Sequence, residues 1–194
     1  MRKAPLVIAC AIAAGSALFI ACSSEAKTEE KAPVAGHSDL VSRGEYLVAT
    51  IGCDDCHSPK RMGAKGPEVI PELRLSGYPA DRPVQVVDTA AMKKGWMLMG
   101  PDLTVAAGPW GVSFAANITS DGTGIGNWNE SNFITAMRHG KAKGIESGRP
   151  LLPPMPWFNF AKMTDEDLKS ILAYLKTTTP VKNVVPAPLP PANM

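Results

Sequence analysis

Large rings are scarce in this sequence: aromatic residues make up 6% of its 194 positions. A core with so few of them has room for something besides side chains. Histidine is rarer still, with three copies, and there are only four cysteines. That stock is too small for an array of zinc modules, each of which needs four ligands. No uncharged apolar stretch reaches the ~20 residues that a membrane-crossing helix requires. A basic excess is also missing. Loss of Arg2 and Lys3 with a leader at residues 1–21 would leave 18 basic residues against 18 acidic ones, which argues against a nucleic-acid partner. Gly and Pro, by contrast, are abundant at 17 and 18 copies and predict long irregular segments.

The amino terminus reads as targeting, not fold. Arg2 and Lys3 precede an uncharged, mostly apolar run at residues 6–20, the layout of a secretory signal. Its end, Leu18-Phe19-Ile20-Ala21-Cys22 followed by Ser23-Ser24, resembles a bacterial lipoprotein signal, although Phe19 stands where Leu is commoner. We therefore expect a signal peptide at residues 1–21, lipidation of Cys22, and a polar tether at residues 22–38. Ordinary secretion or an uncleaved anchor is the alternative. Several acyl chains would hold the protein stably on a membrane, facing the periplasm.

Cys10 falls in the leader and Cys22 on the lipid, which leaves Cys53 and Cys56, followed directly by His57. Three readings compete for Cys53-Asp54-Asp55-Cys56-His57. A zinc site lacks a second paired motif, since His37 and His139 stand alone. A thioredoxin-like dithiol should follow a strand in a βαβ pattern, and none surrounds it. Covalent haem attachment needs two thiols for the porphyrin vinyl groups and an adjacent histidine for the iron, which this spacing supplies. Haem c is the cofactor this motif predicts. One motif in the chain predicts one haem.

Helical periodicity marks three segments. Leu40, Gly44, Leu47, Val48 and Ile51 form one stripe, with Ser38 or Asp39 as the expected cap and Gly52 as the stop. Gly44 in such a stripe weakens the helix, so its expected use is to let another helix cross closely. A second helix spans residues 130–138, capped by Asn129, with Phe133, Ala136 and Met137 inward and Gly140 ending it. The third starts at Thr164, carries Asp165, Glu166 and Asp167 in its first turn, and turns Leu168, Ile171, Leu172 and Leu175 inward. Residues 58–113 show no lasting period, and a loop that long is either functional or hides short elements. Residues 180–194, rich in proline, are expected to be extended or disordered.

Terminal helices, a C-x-x-C-H after the first, and a Met-bearing loop before the last resemble the class I cytochrome c fold, a mainly α architecture of three or more helices around one haem. Asn117-Ile118-Thr119, Gly124-Ile125-Gly126-Asn127-Trp128, Arg138-His139-Gly140 and Met155-Pro156 resemble more closely the cytochrome c domains of bacterial membrane-bound alcohol and aldehyde dehydrogenases. The likeness covers residues 39–57 and 114–179. It implies a cytochrome c domain over residues 39–179, with residues 58–113 as an insertion to which nothing carries over.

On that resemblance Met155 is the expected second iron ligand, in Leu152-Pro153-Pro154-Met155-Pro156-Trp157, where proline stiffens the approach. The bland alternative is a core-filling methionine. His139, among Arg138, Lys141 and Lys143, reads as a surface residue, and His37 as tether. His57 should donate its other ring N–H to a nearby carbonyl such as that of Pro59. Trp128, Asn117 and Arg74 or Arg82 are candidates for the haem propionates or pocket.

Two protein ligands leave iron no open position, so single-electron transfer between redox proteins is the expected function, without catalysis by the chain itself. The alternatives are an electron-accepting subunit of a dehydrogenase or reductase complex, docked through residues 58–113, and a haem sensor or enzyme with Met155 unbound.

Overall fold

A computed structural model describes residues 36–84 and 86–191. The expected leader, Cys10, Cys22 and the expected tether up to residue 35 lie outside the described residues. Helix α1 (His37–Thr50) starts on Gly36, whose N–H is taken by the Asp39 carboxylate at 3.1 Å. The helix therefore begins before the expected cap, and His37 is its exposed first residue instead of part of a tether. Gly44, Leu47 and Val48 are its buried stripe. Gly52, at φ 75°, then turns the chain into the short helix α2 (Cys53–His57).

Residues 58–113 do hold short elements. Strands β1 (Lys60–Gly63) and β2 (Gly66–Val69) make an antiparallel hairpin, with Arg61 opposite Glu68. A five-residue helix α3 (Thr89–Lys93) is capped by the Asp88 carboxylate. Strands β3 (Leu98–Met99), β4 (Val105–Gly108) and β5 (Gly111–Phe114) form a second antiparallel sheet in that order. Strands of two to four residues interrupted by Gly and Pro carry too little alternation to be read from sequence.

Helix α4 (Glu130–His139) is capped by Asn129, whose side chain accepts from Asn132 N–H at 2.8 Å, and stops at left-handed Gly140. A single turn, α5 (Trp157–Phe160), precedes α6 (Asp165–Leu175), where Thr164 Oγ1 accepts from Asp167 N–H. The core joins Leu47 and Val48 of α1, Phe133 and Met137 of α4, and Leu168, Ile171, Leu172 and Leu175 of α6, with Leu75 and Ile125 from the connecting segments. Arg43 and Asp167 pair at 2.9 Å across α1 and α6.

Residues 180–191 are extended but not loose. Leu189 exchanges two backbone hydrogen bonds with Val112. Asn183 donates to the carbonyls of Ser76 and Tyr78 at 2.7 and 2.9 Å and accepts from Ala80 N–H at 2.9 Å. The prolines set the extended backbone, and these contacts fix it to the domain. Among the described residues, no helix is long and apolar enough to cross a membrane.

Candidate functional site

The turn carrying Cys53, Cys56 and His57 is gripped from several sides. Its two thiols are free, with no disulfide between them. Burial, with Asp54 and Asp55 adding to it, pushes the Cys53 thiol up to about 12, and burial likewise raises Cys56. Both are therefore protonated at neutral pH, the opposite of the lowered thiolate of a redox dithiol. Lys60 Nζ caps the turn, donating to the carbonyls of Asp54, Asp55 and Ser58 at 3.1, 2.7 and 3.0 Å and to that of Asp102 at 3.2 Å. Carbonyls at a helix end lack intrahelical partners, and a cation there is doubly favourable.

His57 Nδ1 lies 2.7 Å from the Ala116 carbonyl. A carbonyl can only accept, so Nδ1 carries the proton and Nε2 keeps its lone pair. Burial lowers the His57 pKa, against the pull of Ala116 and Asp54, which keeps the ring neutral. The expected acceptor, Pro59, is otherwise engaged: its carbonyl takes Ile70 N–H at 2.9 Å. The His57 carbonyl accepts Gly77 N–H at 2.7 Å, so ring and backbone are both fixed by distant segments.

Met155 is half-buried and packs against the core cluster that Cys53, Ile118, Trp128 and Phe160 also border. Its loop is held at both ends. Leu151 N–H donates to the Gly140 carbonyl at 2.6 Å, and Trp157 N–H donates to Met155 O at 3.0 Å. Ser113 Oγ, on β5, donates to the Pro153 carbonyl at 2.6 Å. The segment 113–116 thus supports the Met155 loop at one end and the His57 ring at the other.

Asn117 is buried with its amide fully engaged: Oδ1 accepts from Thr119 N–H and Oγ1, and Nδ2 donates to Thr123 Oγ1 and the Val181 carbonyl. It holds the tail and has no donor left for a propionate. Arg82 pairs with Asp102 at 2.7 Å, and Arg74 with Asp54 at 2.6 Å, so neither guanidinium is a free anion receptor. Trp128 is half-buried against the shared core, and its indole N–H has no hydrogen-bond partner among the described residues. His139 is exposed. Sequence reasoning gave no role to Asp54, although it lies within the motif, nor to Ser58, Lys60, Ser113 and Ala116, which belong to no motif and find their partners only in the folded chain.

The donor set fits one chemistry. Two free, protonated thiols separated by two residues, an adjacent neutral imidazole with Nε2 available, and a thioether on the same core suit a covalently held haem. Among the described residues, no three His, Cys, Asp or Glu side chains converge as a zinc site needs.

Comparison with known proteins points the same way. Residues 41–179, more than half the chain, match the family model described as cytochrome c. The chain is 29% identical over 162 residues to the fructose dehydrogenase cytochrome subunit of Gluconobacter japonicus, covering 82% of this chain and 26% of that protein. It is 32% identical over 136 residues to the gluconate 2-dehydrogenase cytochrome c subunit of Pantoea cypripedii, covering 70% and 22%. The cytochrome c subunit of the quinone alcohol dehydrogenase of Gluconacetobacter polyoxogenes matches at 42% over 67 residues, 34% of this chain and 14% of that one. The chain thus spans about a quarter or less of the length of these relatives.

Proposed function

The chain belongs to the cytochrome c family, and on that premise we propose that it carries single electrons between redox proteins through one haem c on Cys53 and Cys56. His57 and Met155 are the axial ligands in this reading, and the arrangement is that of a class I cytochrome domain over residues 39–179. Iron held this way supplies reversible one-electron chemistry with little change of coordination. The chain's own residues do the rest. Ala116 fixes the imidazole tautomer, Ser113 holds the methionine loop, and Trp128 lines the pocket as the residue with a free donor. The chain itself catalyses no reaction.

The observation that carries this reading is the neutral His57 ring, anchored at Nδ1 by Ala116, beside two unpaired thiols. The test is haem that stays with the polypeptide through denaturing electrophoresis when the protein is exported with a c-type maturation system, at one haem per chain. Rapid carbon monoxide binding to the reduced protein would instead favour a sensor or enzyme with Met155 unbound.

A second reading rests on the relatives, whose names are those of dehydrogenase cytochrome subunits. In it the same domain accepts electrons from a dehydrogenase and docks through residues 58–113. Both readings place the protein on a membrane facing the periplasm, anchored by lipid on Cys22 after loss of residues 1–21. Mass spectrometry of the mature amino terminus tests that placement.

A further inference from the structure

Asp54 lies inside the attachment motif, three residues before His57. Its carboxylate receives Arg74 in a two-pronged pair, Nε to Oδ1 at 2.9 Å and Nη2 to Oδ2 at 2.6 Å. Ser58 Oγ donates to Oδ1 at 2.6 Å. The third arm of the guanidinium, Nη1, donates to the Tyr174 hydroxyl on α6 at 2.7 Å. Arg74 therefore bridges the motif and the last helix with three donors at once, a geometry that lysine cannot supply. The other motif carboxylate, Asp55, is exposed and has no ion pair among the described residues.

Two carboxylates thus stand between the two thiols; Asp54 alone has an ion pair, while the Lys60 ammonium sits on the carbonyls of the same turn. Asp54 and Arg74 keep side-chain exposures of 24% and 38%, so solvent screens them less than a fully exposed pair. An uncompensated carboxylate near a redox iron favours the oxidised, more positive state, and a paired one does so much less.

We infer that Arg74 is a positioning residue for the haem carried on Cys53–His57, acting through Asp54: it ties the attachment turn to α6 through Tyr174 and cancels a carboxylate that would otherwise lower the reduction potential. This rests on the haem reading given above. A turn needing only mechanical support has that already from Lys60. The Arg74 pair adds a charge balance at the one motif carboxylate that is partly buried.

Spectroelectrochemical titration of the haem-loaded protein separates the two roles. Arg74→Gln should lower the potential, so that at a fixed ambient potential between the two midpoints the oxidised-to-reduced ratio rises several-fold. Asp54→Asn should raise it. The double variant Asp54→Asn/Arg74→Gln should return to the wild-type midpoint, because the net charge at the turn is restored. Tyr174→Phe keeps both charges and should lower the thermal midpoint while leaving the potential in place. An unchanged potential in Arg74→Gln, or a double variant that fails to return, overturns the inference. If Arg74→Gln loads no haem, the double variant must load it, and its failure to do so is equally fatal. A wild-type chain that retains no haem would overturn the haem reading itself, a result distinct from any of these.

Discussion

The backbone carbonyl of Ser170 occupies the place where a side chain on Gly44 would begin: a Cβ there would overlap that oxygen and come within 2.7 Å of Tyr174 Cβ. Helices α1 and α6 therefore cross with backbone against backbone. The crossing sets the position of Tyr174, whose hydroxyl meets Arg74 at 2.7 Å, and so reaches the attachment turn by way of Asp54. A residue chosen for its missing side chain governs geometry well beyond its own helix.

Gly44→Ala tests this contact by the sign of its effect. In an open helix interior the change would stabilise by about 1 kcal/mol. Here the added carbon meets backbone, which cannot rotate away. We expect a net loss of about 1–3 kcal/mol, the usual range for overpacking, read as a lower denaturation midpoint of the haem-loaded protein. A stabilised variant would show that the helices can part without cost.

Asp102 predicts an acid-sensitive part of the stability. Burial alone would raise its pKa, but hydrogen bonds from Thr104 and Arg82 outweigh it and hold the carboxyl below its ordinary value. Thr104 donates its hydroxyl at 2.7 Å and its N–H at 3.2 Å, and Arg82 pairs at 2.7 Å. A group with a lowered folded-state pKa contributes stability that is complete above its unfolded value of about 3.9 and is lost as pH falls through the folded value. Denaturation midpoints across acid pH should therefore fall less steeply in Asp102→Asn than in the parent. The variant should be weaker at neutral pH, and the two curves should converge in acid. Parallel curves would remove Asp102 from the acid response.

What could be read in the sequence was local. The stripe through Gly44, Leu47 and Val48, the caps Asn129 and Thr164 and the stop at Gly140 follow from neighbours three or four residues apart, and helices α1, α4 and α6 appear as their spacing predicts. What stayed hidden was the pairing of distant groups. His57 finds its acceptor at Ala116 and Arg74 finds Tyr174, and no periodicity encodes separations of 59 and 100 residues. Asn117 likewise meets Val181, 64 residues on, in a tail whose proline content predicts extended or disordered chain but not what it touches. Proline fixes the conformation of a strand without saying what lies beside it.

Asn183 makes that last point measurable. Its side chain satisfies the carbonyls of Ser76 and Tyr78 and the N–H of Ala80. Replacement by alanine leaves three backbone groups without their partner, at roughly 1–3 kcal/mol for any that remains shielded from water. Asn183→Ala should lower the thermal midpoint and make residues 180–191 sensitive to limited proteolysis. Retention of full stability and protease resistance would mean the tail is held by Leu189 and Val112 alone.

Ser113 connects the two proposed iron ligands and gives the sharpest test of the methionine. Its hydroxyl donates to the Pro153 carbonyl at 2.6 Å and accepts from Trp110 Nε1 at 3.2 Å, while the same segment ends in the Ala116 carbonyl that holds His57. Ser113→Ala removes the donor that restrains the Met155 loop and leaves the histidine side untouched. Pro153 is exposed, so water replaces the lost donor and the net cost is about 0.5–1.5 kcal/mol, enough to loosen the hold on a weak thioether ligand without unfolding the domain. In the oxidised protein, the long-wavelength band of a methionine–iron bond should vanish in Met155→Ala. In Ser113→Ala it should persist but disappear at lower denaturant concentration, with added imidazole binding the iron roughly 2–10-fold more tightly than in the parent if that loss falls on the ligated state. A band that survives Met155→Ala would remove Met155 from the coordination sphere. A band lost in Met155→Ala but equally robust in Ser113→Ala would leave the ligand in place and deny that β5 holds it there.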